Sequence, residues 1–233
     1  MKIAISGTYS TGKTTTALAL SYITGIPCTH ASTMREILPI AFSGKKLESC
    51  KSYELVELGI RRYLERCITE NTLNNHFISD GCVLQEWVYG TTRLEFGLNP
   101  NEHQLKIRWN KFFHKETYTV FKQSMKAIGE IAKHHVNDNY DILIHLPVEF
   151  PFEPDGHRPV KEKFRIKSEQ LLLNTYSEYA INYVVVHGTL HERLEEIIKK
   201  LKLPIVMNID EAITMANKKR LLKFDSIKIE SNT

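Results

Sequence analysis

Short, nearly all-apolar runs separated by helix-length stretches predict an α/β fold, a parallel sheet covered by helices on both faces. Five such runs occur in the 233 residues, at 2–6, 26–30, 77–80, 141–146 and 183–187. The first closes on Gly7, the third on a carboxylate and a glycine (Asp80-Gly81), and the last two on Pro147 and Gly188. These are the breakers expected where strands end.

Each intervening element has its own local reason. Residues 13–24 run without a breaker to Gly25, a helix with a C-terminal glycine cap. Thr33 and Glu36 have capping-box spacing, so a short helix starts there, is disturbed at Pro39 and ends by Ser43-Gly44. Val56, Ile60, Tyr63, Leu64, Cys67 and Ile68 fall on one stripe of a long amphipathic helix over 53–73. A helix over 83–91 and a helical region over 102–135 follow, separated by the Asn99-Pro100-Asn101 turn. A further helix is expected over 161–178, and the tail from Lys218 reads as a solvated end.

With 42% hydrophobic and 25% charged residues, the chain can bury one sizeable core. A single domain over 1–233 is expected, with a lid segment at about 151–167 and a C-terminal extension from about 203. The formal net charge is +4 and the basic residues are dispersed. That distribution favours a small anionic ligand over nucleic acid. Cys28, Cys50, Cys67 and Cys82 stand at irregular separations with no CxxC pair and no zinc-like His spacing. They read as reduced thiols, His134 and His135 as surface residues, and the chain as a cytoplasmic protein with no membrane partner. Oligomeric state is not legible.

Gly7-Thr8-Tyr9-Ser10-Thr11-Gly12-Lys13-Thr14 fits GxxxxGK[ST] without a mismatch, between an expected strand and an expected helix. Gly7 and Gly12 let the backbone curl until its N–H groups face inward, and the following helix adds the positive end of its dipole. Lys13 can then reach β- and γ-phosphate oxygens, while the Thr14 hydroxyl can fill one position around Mg²⁺. The four fixed positions would coincide by chance in about 1% of chains this long. ATP with Mg²⁺, held by Gly7 to Thr14 together with Thr15, is therefore the expected ligand set.

A phosphate loop alone does not name a reaction. A GTPase would need Asn-Lys-x-Asp, yet Asn217-Lys218 is followed by Lys219-Arg220. The phosphate loop, the run ending at Asp80 and the segment Pro154-Asp155-Gly156-His157-Arg158 together resemble the nucleoside- and nucleotide-kinase-like group of P-loop NTPases. Within it they are most similar to the nicotinamide-riboside-kinase-like domain, also called an AAA-type ATPase. The run 183–188 followed by Glu192-Arg193 is similar as well, and the likeness spans about residues 1–200. It implies a three-layer α/β/α fold with a five-stranded parallel sheet. It also implies an acceptor cleft beside the phosphate loop and an arginine-bearing lid.

Asp80 matches the acid that, in such kinases, acts on the acceptor hydroxyl or on Mg²⁺ through water. Relatives often place an arginine directly after this acid, where this chain has Gly81. Independently of the likeness, a carboxylate at the C-terminal end of a central strand faces the crevice where such sheets bind ligands. It could equally cap the next helix. Arg158 sits in a Pro- and charge-rich segment with little to pack, suited to a lid cation or to a solvated loop. Arg35, Trp87, Tyr89 and Arg93 lie where the resemblance places the acceptor, a small molecule carrying a hydroxyl or phosphate. Trp87 and Tyr89 also have the helical spacing of core residues.

The expected activity is transfer of the ATP γ-phosphoryl group to a nucleoside-like metabolite, with Lys13, Asp80 and Arg158 as catalytic residues and Thr14 and Asp80 at the metal. The alternatives are an ATPase coupled to a protein or nucleic-acid partner, and a catalytically silent nucleotide-binding module.

Overall fold

The computed structural model describes residues 1–29, 31–73, 75–151 and 162–230; the side chains of Arg35 and of 223–230 are outside this description. Most of the expected lid, including Asp155, Arg158 and Lys161, therefore lies outside the described residues, as does the 231–233 tail.

Five strands, β1 (Lys2–Ser6), β2 (Cys28–Thr29), β3 (Phe77–Asp80), β4 (Ile142–His145) and β5 (Tyr183–Val185), form one all-parallel sheet in the order β2-β3-β1-β4-β5. Strand alternation feeds two separate cores. Ile3, Ile5, Ile142 and Ile144 pack under α1 (Lys13–Thr24), α8 (Leu190–Leu201) and α9 (Ile209–Glu230). Ala4, Phe77 and Leu143 face the opposite layer, built from α4 (Leu84–Phe96), α6 (Lys115–Asn139) and α7 (Glu162–Glu178). A small third cluster of Ile37, Leu38 and Leu58 joins α2 (Met34–Ala41) to α3 (Ser52–Asn71). A short 3-10 turn, Leu47–Ser49, and helix α5 (Gln104–Phe113) complete the order.

Local signals set the element ends. The Glu36 carboxylate accepts the Thr33 N–H at 2.6 Å to start α2, which stops at Ala41 two residues beyond Pro39. Gly25 closes α1 with φ 72°, and Thr189 with Glu192 boxes the start of α8.

Two sequence expectations are corrected. The region expected over 102–135 is two helices broken at His114, and the second continues to Asn139. On α3 half of the expected apolar stripe is turned outward: Ile60, Leu64 and Ile68 are exposed, while Val56 and Tyr63 pack against the core. Arg66, Glu70, Glu54 and Leu58 are buried there. The basic residues from Lys218 lie on α9, with Lys218 and Lys219 exposed as a solvated end requires.

β1 is the central strand, and β3 and β4 leave it on opposite sides. Its C-terminal end is thus the switch point where such sheets open a ligand crevice. The phosphate loop begins there.

Candidate active site

The loop between β1 and α1 adopts the curled backbone its glycines permit, with φ 136° at Gly7, 59° at Ser10 and 90° at Gly12. A methyl group on Gly7 would collide with the Leu146 carbonyl, so only glycine lets β1 and the end of β4 approach this closely. Inside the loop the Thr11 hydroxyl donates to the Thr8 carbonyl at 2.9 Å, and the Lys13 ammonium donates to that same carbonyl.

Helix α1 starts at Gly12 with no side-chain cap and no acidic residue in its first turn. Its first amides are therefore left to an external acceptor. The half-buried Thr14 has no hydrogen-bond partner for its hydroxyl among the described residues. The donor set fits a triphosphate with a hard divalent cation: the uncapped first amides of α1, the Lys13 ammonium and the Thr14 hydroxyl. Thr8, Tyr9, Thr11 and Thr15 are buried in the loop and first turn of α1.

Two buried arginines hold this loop from behind. Arg193 of α8 donates to the Thr11 carbonyl at 2.7 Å and pairs with Glu149 at 2.6 Å. Glu149 also accepts the Gly188 N–H at 3.1 Å and meets a His187 ring nitrogen at 2.8 Å. Burial alone would raise the Glu149 carboxyl, but Arg193, His187 and the Gly188 amide outweigh it and hold the pKa below its ordinary 4.5. Arg165 of α7 donates to the Ser10 carbonyl at 3.3 Å and to the Phe150 carbonyl at 2.8 Å. From α4, Gln85 donates to the Gly7 carbonyl at 2.8 Å. Loop carbonyls are thus turned outward onto fixed donors, which leaves the amides for the ligand.

Asp80 ends β3 and lies opposite Ile5 of β1 in the parallel register, two residues before Gly7. The backbone behind it is pinned by Arg66, which donates to the Asp80 and Gly81 carbonyls, each at 3.1 Å, and to Ser79 Oγ at 2.9 Å. Gly81 has φ 100°, and a Cβ there would lie 3.0 Å from Arg66 Nη2 and 2.6 Å from Gln85 Oε1. A guanidinium reaching in from α3 therefore occupies the space beside residue 81, where a side chain on that residue would clash.

Beside the loop, Tyr9, Tyr89 and Phe164 form an aromatic wall. Ring centroids are 5.9 Å apart for Tyr9 and Tyr89 and 6.4 Å for the stacked Tyr89 and Phe164. Arg93, one turn beyond Tyr89, donates to the Leu98 carbonyl and has no carboxylate within ion-pair distance among the described residues. Burial pushes its guanidinium down to about 10, against the pull of Cys50, Glu48 and Glu86. Glu86 itself is bound to Arg62 of α3 at 2.8 Å.

Of the acceptor residues named from sequence, Tyr89 and Arg93 lie on the phosphate-loop side of α4. Trp87 does not. It is 8% exposed in the core, its ring against Gly129 of α6 and under the Lys133 ammonium at 4.8 Å, because α4 turns that face toward α6. The Arg35 side chain and Arg158 lie outside the described residues.

Arg66 and Gln85 were missed as parts of the site, Arg193 entered only through the resemblance, and Arg165, in the segment expected to be a lid, was not expected behind the loop. A signal existed for two of them: Arg193 stands on the apolar stripe of α8 with Leu194 and Ile197, and Arg165 beside Phe164 on that of α7. A charge on a buried stripe requires a partner.

No curated protein sequence matches the chain. Among solved structures, deoxyadenosine kinase from M. mycoides with bound dATP superposes with TM-score 0.59 at 16% identity, covering 87% of this chain and 100% of that one. The same enzyme with products dCMP and dCDP gives 0.55 at 17% identity, covering 87% and 98%. NadR protein in complex with NR gives 0.53 at 14% identity, covering 88% of this chain and 53% of that longer one. A family model described as an AAA domain matches residues 2–193. The chain therefore belongs to the AAA-domain family, with the fold of a P-loop nucleotide kinase.

Proposed function

We propose that the protein is an ATP-dependent kinase that transfers the γ-phosphoryl group to a hydroxyl or phosphate of a nucleoside-like small molecule. What supports this reading is a phosphate loop with Lys13 and Thr14 that leaves the end of β1, with Asp80 at the end of the neighbouring strand β3 and Tyr89 against Tyr9 of the loop. The nucleotides and NR bound in the superposed structures support the reading.

In this mechanism Lys13 exchanges the Thr8 carbonyl for β- and γ-phosphate oxygens, and the α1 amides hold the β-phosphate. Thr14, with Asp80 through water, would hold Mg²⁺, which when bound neutralises charge on the phosphates. Asp80 orients the acceptor and takes its proton as the acceptor oxygen bonds to the γ-phosphorus and the bond to the ADP oxygen breaks. The half-buried Tyr89 offers a surface for a flat ring, and Arg93 a cation for an anionic substituent. Arg158 is the lid cation of this proposal.

The test is incubation with ATP, Mg²⁺ and a metabolite library, read by mass spectrometry. A metabolite gaining one phosphate group is the expected result. Hydrolysis that rises only with a protein or nucleic acid would make it a coupled ATPase, and tight binding without turnover a silent nucleotide module.

A further inference from the structure

At the N-terminal ends of β1 and β3, remote from the phosphate loop, α3 and α6 enclose a pocket of about 240 Å³ lined by Lys2, Cys67, Glu70, Asn71, His135 and Asn139. His135, expected on the surface, is 13% exposed at its side chain. Its Nδ1 lies 3.7 Å from Cys67 Sγ and 3.3 Å from the Tyr63 hydroxyl. On the other side of the ring, Nε2 is 3.7 Å from Glu70 Oε2, beyond hydrogen-bond reach, and is buried without a partner among the described residues. Cys67 and Glu70 are one helical turn apart on α3, so thiol, imidazole and carboxylate follow one another in line.

We propose that Cys67 is a covalent modification site, a nucleophile sharing one proton with His135, which Glu70 orients, and open through this pocket to small electrophiles. The arrangement rests on no part of the kinase reading. In the reactive form the proton sits on the imidazole, between the sulfur and Glu70. Attack on an alkyl halide forms an S–C bond and releases halide while His135 keeps the proton. Attack on a hydroperoxide forms an S–O bond, breaks the O–O bond, and sends the His135 proton to the departing oxygen. Sulfur is oxidised by two electrons and the peroxide reduced.

The groups facing the pair agree with this form. Burial lowers the basicity of His135, but the Cys67 sulfur and the nearby Glu70 carboxylate reverse that and raise its pKa to about 9. The Tyr63 hydroxyl is pushed up to about 12 by burial and then by Cys67, so it stays a neutral donor. Tyr140, whose ring lies 5.8 Å from that of His135, donates to Glu70. Glu70 also lies 4.0 Å from Arg66, and Lys2 adds a further cation at the pocket wall. A thiolate beside an imidazolium is the arrangement that makes a cysteine reactive at neutral pH.

The test is alkylation of the whole folded chain by iodoacetamide, with each cysteine followed by peptide mass mapping. At pH 7 Cys67 is expected to react at least about tenfold faster than the half-buried Cys50, whose thiol is raised by burial and Glu54. In His135→Asn the Cys67 rate should fall by at least about tenfold while that of Cys50 is unchanged. A wild-type Cys67 rate no greater than that of Cys50 overturns the proposal whether or not the variant folds. An unchanged rate in a folded His135→Asn protein overturns it as well.

Discussion

Arg193 shows how much of the site hangs on single side chains outside the motif, since one guanidinium joins the Thr11 carbonyl to Glu149. Arg193→Met keeps most of the volume but takes the donor from the Thr11 carbonyl and leaves the half-buried Glu149 with only Gly188 and His187. It is expected to cost about 1–3 kcal/mol in urea unfolding and to weaken nucleotide binding. The sign of its pH dependence is fixed by Glu149, whose folded pKa lies below 4.5. The stability it supplies is complete above that value and is lost as pH falls below it. Unfolding midpoints between pH 3 and 6 should drop toward acid more steeply in the wild type than in Arg193→Met. Asp80→Asn should slow turnover by at least about 10²-fold with a smaller effect on ATP affinity, as for a positioned acid or base. Unchanged turnover would reduce Asp80 to a helix cap. The phosphate loop was legible because its chemistry is contiguous in sequence. Arg66, Arg165 and Arg193 were not, because each reaches the loop or β3 from a helix distant in the chain.

At the scale of elements, periodicity located the strands, and the capping box and glycine caps located helix ends, because those signals are local. It failed on α3. Counting apolar residues there selected Ile60, Leu64 and Ile68, yet the buried face carries Arg66 and Glu70. These serve the backbone at Asp80 and the hydroxyls of Ser79 and Tyr140, contacts that exist only once β3 is in place. The contact of α4 with α6 gives a second test of packing. A Cβ on Gly129 would strike the Trp87 ring, whereas one on Gly90 would meet the Met125 thioether. Gly129→Ala should therefore destabilise by about 1–3 kcal/mol despite its better helix propensity. Gly90→Ala should cost less, since methionine can change rotamer. Equal thermal shifts in the two variants would contradict the packing described.

For the whole molecule, the strand order puts the phosphate loop at the switch point between β3 and β4, the place where sheets of this kind bind ligands. Class and strand number were readable from five apolar runs and the helices between them. The order β2-β3-β1-β4-β5 came only through the fold, since pairing is not written in any one segment. Closure over both ligands is the remaining demand of the kinase reading. If Arg158 meets the phosphates only on closure, its loss must appear in kcat more than in ATP affinity. Arg158→Ala should lower kcat by about 10² to 10³, and Arg158→Lys should restore only part of it. Normal kcat in both variants would remove Arg158 from the mechanism.

The central claim is that the loop from Gly7 to Thr14 presents a nucleoside triphosphate whose γ-phosphoryl group is passed to a small molecule. The most direct measurement supplies ATP labelled at the γ-phosphate, with Mg²⁺ and a nucleoside-like acceptor found by mass spectrometry, to the wild type and to Lys13→Ala. The account predicts label in the phosphorylated acceptor with the wild type and essentially none with a folded Lys13→Ala protein, which lacks the cation at the β- and γ-phosphates. Equal transfer by both proteins, or label recovered only as inorganic phosphate whatever acceptor is present, would contradict it.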